Sequence, residues 1–106
     1  AQSLAMASEL GLEPSLVLEA LDGGPINAPY TQMKGRSMIE RDFTPSFGID
    51  GVVKDVDLMI DAVDPRTSRL LQAVRSAYVD ASVAGHGSDD MAAVVTSFES
   101  DEGFQG

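Results

Sequence analysis

The chain contains no cysteine and a single histidine, His86. Without a thiol there is no disulfide framework and no thiolate metal site, and one imidazole has no His or Cys partner with which to hold zinc. A cysteine-free chain suits a cytoplasmic location. Basic residues are also scarce, seven Lys and Arg against seventeen Asp and Glu, for a formal net charge of −10. Such a chain repels phosphate backbones, and its few cations form no run, which argues against a nucleic-acid partner. The same sign of charge disfavours an anionic membrane surface. No apolar run approaches the roughly 18 residues of a membrane span. The opening Ala1-Gln2-Ser3-Leu4-Ala5-Met6 lacks the basic and apolar regions of a secretion signal. It reads as the interior of a helix with no N-cap before it, a first sign that the chain is a fragment.

What is present fits one domain: 106 residues, 43% of them hydrophobic. Long segments show helical spacing and none sustains alternation. Ala1 to Leu10 is rich in helix formers and stops at Gly11. Pro14 suits the first position of a second helix whose face is Leu16, Val17, Ala20 and Leu21, ended by Gly23-Gly24-Pro25. A weaker third helix spans Ala28 to Glu40, with Tyr30, Met33 and Met38 as its inward residues and Gly35 as its weak point. Asp42-Phe43-Thr44-Pro45 is a break, and Thr44 or Ser46 is placed to cap the next helix. That helix, the clearest of all, carries Ile49, Val52, Val53, Val56, Met59, Ile60 and Val63 on one stripe, with Asp50, Lys54, Asp57 and Asp61 opposite, and ends at Asp64-Pro65. A further helix from about Thr67 to Val83 presents Leu70, Leu71, Val74, Ala77, Tyr78 and Ala81. After Gly85-His86-Gly87, Ser88 is the expected N-cap of a last helix over Met91 to about Phe98, with Asp89 and Asp90 in its first turn. The expected fold is an all-α bundle of five to six helices over residues 1–98, with an acidic tail over 99–106.

No G-x-G-x-x-G follows a strand, and neither a Walker A pattern nor G-x-S-x-G occurs, so the chain contains no dinucleotide-binding Rossmann unit of its own. His86 reads as a loop residue near a helix C-terminus. Gly87-Ser88-Asp89-Asp90 lacks the alternating carboxylates and distal Glu of a calcium loop, and capping accounts for it. Asp50, Asp55, Asp57 and Asp61 read as a solvated acidic face rather than a metal site. Lys54 has two readings. Asp50 and Asp57 lie at helical spacings that permit an intrahelical ion pair, or the cation faces a carboxylate or phosphate of a ligand.

One stretch carries a resemblance. Lys34-Gly35-Arg36-Ser37-Met38-Ile39-Glu40-Arg41-Asp42-Phe43-Thr44-Pro45-Ser46-Phe47 resembles a segment of the 3-hydroxyisobutyrate dehydrogenase group of β-hydroxyacid dehydrogenases, relatives of 6-phosphogluconate dehydrogenase. There an "M-x-x-R-D-F-x-P-x-F" run leads into a long helix bearing Lys-Asp. Here that helix is expected from Phe47, with Lys54-Asp55 at the matching distance. Leu10-Gly11-Leu12-Glu13-Pro14 is similar to the family's "A-E-x-G-L-D-P" helix end, and Ala84 to Asp90 to its "A-G-x-G-D-E-D" loop. Two stretches depart from the pattern: Gly24-Pro25-Ile26-Asn27, where a Ser/Gly-rich turn is expected, and Val63 to Ser68, which is shorter than the family's connection.

The resemblance implies the C-terminal, substrate-binding and dimerising helical domain of an oxidoreductase that uses NAD or NADP on a small β-hydroxyacid. The N-terminal Rossmann domain and the catalytic Lys-x-x-x-Asn would lie before Ala1. No catalytic residue and no metal site is expected within the chain, which alone should be inactive. Phe47 matches an aromatic lining the pocket, Lys54 a lysine near nicotinamide and substrate, and Asp55 a neighbour that helps position the helix. A homodimer is implied as well. Two alternatives share the scaffold: an inactive dimerisation or interaction module, and an imine-reductase type with the catalytic Lys replaced.

Overall fold

A computed structural model describes residues 1–99. Its elements are α1 (Gln2–Glu9), α2 (Ser15–Leu21), α3 (Pro29–Glu40), α4 (Ile49–Asp61) and α5 (Arg69–Ala81), then a π-helical turn (Ser82–His86) and a terminal 3-10 helix (Met91–Phe98). The fold is all-α, as the periodicity predicts. Among the described residues the one β-type pairing is an isolated antiparallel bridge between Gly48 and Asp90.

The terminal 3-10 helix is the centre of the domain, with α1, α3, α4 and α5 packed around it. Ala92, Ala93, Val94 and Val95 are buried on successive positions, a run that belongs to a helix covered on several sides. Phe98, expected to pack, is exposed instead. Ile49 of α4 and Ala81 of α5 meet Ala93 and Val94 in the central cluster, with Met38, Phe43, Ala77 and Tyr78 against it. Helices α4 and α5 pair across a short link, and an Arg75–Asp57 ion pair joins them. Only part of each predicted stripe is covered. Ile49 and Val56 are buried, whereas Met59 and Val63 on the α4 stripe and Leu70 and Val74 on α5 are exposed.

The turns follow their glycines. Gly11, Gly23 and Gly85 take positive φ angles of 80°, 76° and 107°, which side-chain-bearing residues seldom adopt. Helix α3 ends instead on Arg41, in the left-handed region at φ 59°. The Arg41 guanidinium bonds Glu99 at 2.7 Å, with the Glu99 side chain only 6% exposed. The predicted acidic tail is therefore anchored at its first residue, and residues 100–106 lie outside the described ones.

The inward face of α3 differs from expectation. Tyr30 and Met33 are exposed, and Gly35 is the buried position. The reason is close approach: a Cβ on Gly35 would lie 2.5 Å from Leu18 Cδ2. Leu18 itself, rather than Leu16, is the buried residue of α2. Gly35 thus lets α2 and α3 touch, and the helix propensity it forgoes is recovered in packing. Gly35→Val should destabilise the domain by about 1–3 kcal/mol through overpacking, seen as a lower urea midpoint at unchanged slope. An unchanged midpoint would mean that α2 is free to shift away from α3.

Candidate functional site

Segments 43–50 and 87–91 run side by side and are joined by backbone bonds. Asp90 N–H donates to Phe43 O at 2.9 Å, Met91 N–H to Phe47 O at 2.8 Å, Ile49 N–H to Asp89 O at 2.9 Å and Asp50 N–H to Gly87 O at 3.0 Å. Helix α4 therefore begins at Ile49, not Phe47, and its first N–H groups are satisfied by loop carbonyls. Neither Thr44 nor Ser46 caps it. Thr44 bonds Asp42, and Ser46 bonds Asp90.

Asp90 is the hub. Its Oδ1 accepts from Ser46 N–H at 3.0 Å, Ser46 Oγ at 3.1 Å and Phe47 N–H at 3.2 Å. Its Oδ2 accepts from Lys34 Nζ at 2.7 Å and Ala92 N–H at 3.0 Å. Asp90, rather than Ser88, is thus the N-cap of the terminal helix. The carboxylate is 2% exposed. Burial works against its ionisation, but the hydrogen bonds from Lys34, Ser46, Ala92 and Phe47 outweigh it and hold the carboxyl well below the usual carboxylate range. Lys34 is also largely covered, its ammonium 5.6 Å from the Tyr30 ring centre.

The three residues singled out from sequence fall on one face. Phe47 is 45% exposed, and its ring lies across Gly51, where an added Cβ would come within 3.2 Å of Phe47 Cζ. Lys54 and Asp55 follow Gly51 by three and four residues, so they stand one turn further along that side of α4. Both are exposed. The predicted intrahelical pair is not formed. Asp50 accepts from Ser82 Oγ at 2.6 Å, and Asp57 is taken by Arg75. Among the described residues Lys54 has no ion pair, and Asp55 has none either. Among the described residues no group of three or more His, Asp or Glu converges. His86 sits in the loop after α5, its Nδ1 2.8 Å from Asp89 and its ring edge-on to Phe43.

The role of Lys34 was not legible in advance, because its partner lies 56 residues away. The lysine also lines a mostly apolar cleft of about 290 Å³ between α1, α2, α3 and the terminal helix, with Tyr30, Thr31 and Tyr78 on its walls. Burial pushes the Tyr78 hydroxyl up, helped by Tyr30 and Asp90.

This arrangement fits part of a nicotinamide dinucleotide and not the whole. Phe47 offers a flat apolar surface and Lys54 an exposed ammonium with no ion pair among the described residues. A helix N-terminus is a natural cradle for a pyrophosphate, but that of α4 is occupied by the Gly87 and Asp89 carbonyls.

The helical bundle thus carries an aromatic ring just before α4 and a lysine and an aspartate along the same side of it. The chain belongs to the family described as NAD-binding of NADP-dependent 3-hydroxyisobutyrate dehydrogenase, which it matches over residues 1–98. It is 27% identical to the glyoxylate/succinic semialdehyde reductase 2, chloroplastic, of Arabidopsis thaliana, over 90% of this chain and 27% of that protein. It is similar to the L-threonate dehydrogenases of Haemophilus influenzae, at 27% identity over 92% of this chain and 33% of that one, and of Cupriavidus necator, at 26% over 92% and 34%. The chain spans about a third or less of the length of these relatives. No helix among the described residues is long and apolar enough to cross a membrane.

Proposed function

We propose that this chain is the substrate-side helical domain of an NAD- or NADP-dependent oxidoreductase that interconverts a small β-hydroxyacid and its carbonyl form. The observation that carries the reading is Lys54, an exposed lysine with no ion pair among the described residues, one turn from an open aromatic ring in a chain of net charge −10. Family membership supplies the chemical setting. In this reading the nicotinamide, when bound, accepts or donates the hydride. Lys54 binds the carboxylate of the acid and orients it, Phe47 forms an apolar wall that excludes water, and Asp55 accepts a hydrogen bond from a ligand hydroxyl or amide. The general acid/base, a lysine with an asparagine four residues on, is assigned to the Rossmann-containing part of a longer protein. Homodimerisation through the uncovered faces of α4 and α5, and a cytoplasmic location, complete the proposal. The names of the relatives suggest a substrate panel of small hydroxyacids, L-threonate among them, with glyoxylate and succinic semialdehyde for the reverse direction.

In the full-length protein, Lys54→Gln should lower kcat/KM for the best hydroxyacid about 10–100-fold, the worth of one charge-assisted hydrogen bond. The change should fall mainly on KM. NAD(P)H absorbance reads it directly. Unaltered kinetics in Lys54→Gln would remove the lysine from the site, and no turnover on any of these acids would defeat the substrate class.

A further inference from the structure

We infer that Lys34 and Asp90 act together as positioning residues that hold the Phe47 ring against Gly51, and so set the apolar wall of the proposed site. The substrate half of this inference rests on the reading of Phe47 above; the positioning half rests on geometry.

Phe47 belongs to the connection between α3 and α4, where no helix fixes the backbone. What fixes it is Asp90. One carboxylate oxygen takes the N–H groups of Ser46 and Phe47 and the Ser46 hydroxyl, and Met91 N–H holds the Phe47 carbonyl from the other side. The carboxylate can serve those donors only in one rotation about its own axis. That rotation is set at the other oxygen, by Ala92 N–H and by Lys34 Nζ at 2.7 Å. Lys34 also donates to Ser46 Oγ at 3.2 Å, so the hydroxyl is gripped from both partners. Removing the lysine leaves Oδ2 with a single backbone donor and lets the carboxylate turn. The 46–47 backbone then loses its register against Asp90, and the ring loses its place over Gly51. A lysine on α3 thereby controls a side chain at the start of α4 that it does not itself touch.

An ion pair that only stabilised the fold would not single out Phe47, and this separates the two roles. In the 106-residue chain, Lys34→Met should weaken the nuclear Overhauser contact between the Phe47 ring and the Gly51 α-protons by more than half. It should also move the Ser46 and Phe47 amide resonances, while the Ile49 and Val95 methyl signals stay in place. Lys34→Arg should restore the contact. Asp90→Asn serves as the second variant, and should loosen the same contact if Lys34→Met does not fold. In the full-length protein, Lys34→Met should raise KM for the hydroxyacid about tenfold with kcat held within about twofold, the pattern of lost ground-state binding, and Lys34→Arg should recover most of it. An undisturbed Phe47–Gly51 contact in a folded Lys34→Met chain overturns the positioning role. A lost contact with unchanged KM overturns instead the placing of Phe47 beside the substrate.

Discussion

Asp90→Ala is expected to lower the stability of the domain by about 3–5 kcal/mol, the range seen when one partner of a buried charged network is removed. Five donors lose their acceptor at once: Ser46 N–H, Ser46 Oγ, Phe47 N–H, Ala92 N–H and Lys34 Nζ. The lysine is the costliest of these, since its side chain is only 12% exposed and is left as a buried cation with no counter-charge. The three backbone groups add the loss of an N-cap and of the loop that precedes α4. Domains of this size have total stabilities of about 5–15 kcal/mol, so the variant should sit near its unfolding midpoint under mild denaturant. Urea titration followed by far-ultraviolet circular dichroism reads the loss. A loss below about 1 kcal/mol would mean that water reaches the site and takes over the bonds.

The same carboxylate gives that loss a pH signature. Its folded-state pKa lies below the usual range, while an unfolded Asp titrates near about 3.9. A depressed folded value means that the unfolded chain takes up the proton first. The stabilisation is therefore complete above the unfolded pKa and drains away as pH falls through the folded one. The gap between the natural chain and Asp90→Ala should stay constant from about pH 5 to pH 8 and narrow below about pH 4.

Helix positions were legible because their signals are local. The stripe from Ile49 to Ile60 and the glycines after α1 and α2 each act within a few residues. What escaped the sequence depends on distant partners. Leu10, Ile26 and Leu70 carry the same hydrophobic signal as Leu4, Leu18 and Ile49, and nothing local tells the exposed set from the buried one. Gly35 reads as a defect until Leu18 is seen against it. Asp90 reads as one acidic residue in a capping turn until Lys34 and the 46–47 backbone arrive from other parts of the chain. The candidate face was partly readable for the same reason. Gly51, Lys54 and Asp55 are set by one helix's spacing, while Phe47 lies before that helix and the network that holds it is assembled across 56 residues.

Ile49→Ala should cost about 2–5 kcal/mol, and Ile49→Val only about 0.5–1.5 kcal/mol. Ile49 is fully buried, with Ala81, Ala93 and Val94 around it. Two of those neighbours are alanines with no rotamers to swing into a void, so truncation leaves a cavity that closes poorly. The size of the effect depends on that rigidity, and a loss near the bottom of the range would show that Met38 or Tyr78 moves in from the cluster's edge. The backbone of Ile49 is also tied to Asp89, one residue before the Asp90 hub. Ile49→Ala and Asp90→Ala therefore act on one joint between α4 and the terminal helix, and their costs should fall short of adding. The measured sum in the double variant, read by urea titration against each single change, tests whether that joint unfolds as a unit. Full additivity would mean that the apolar cluster and the polar hub stabilise the chain independently, and that the start of α4 is held twice over.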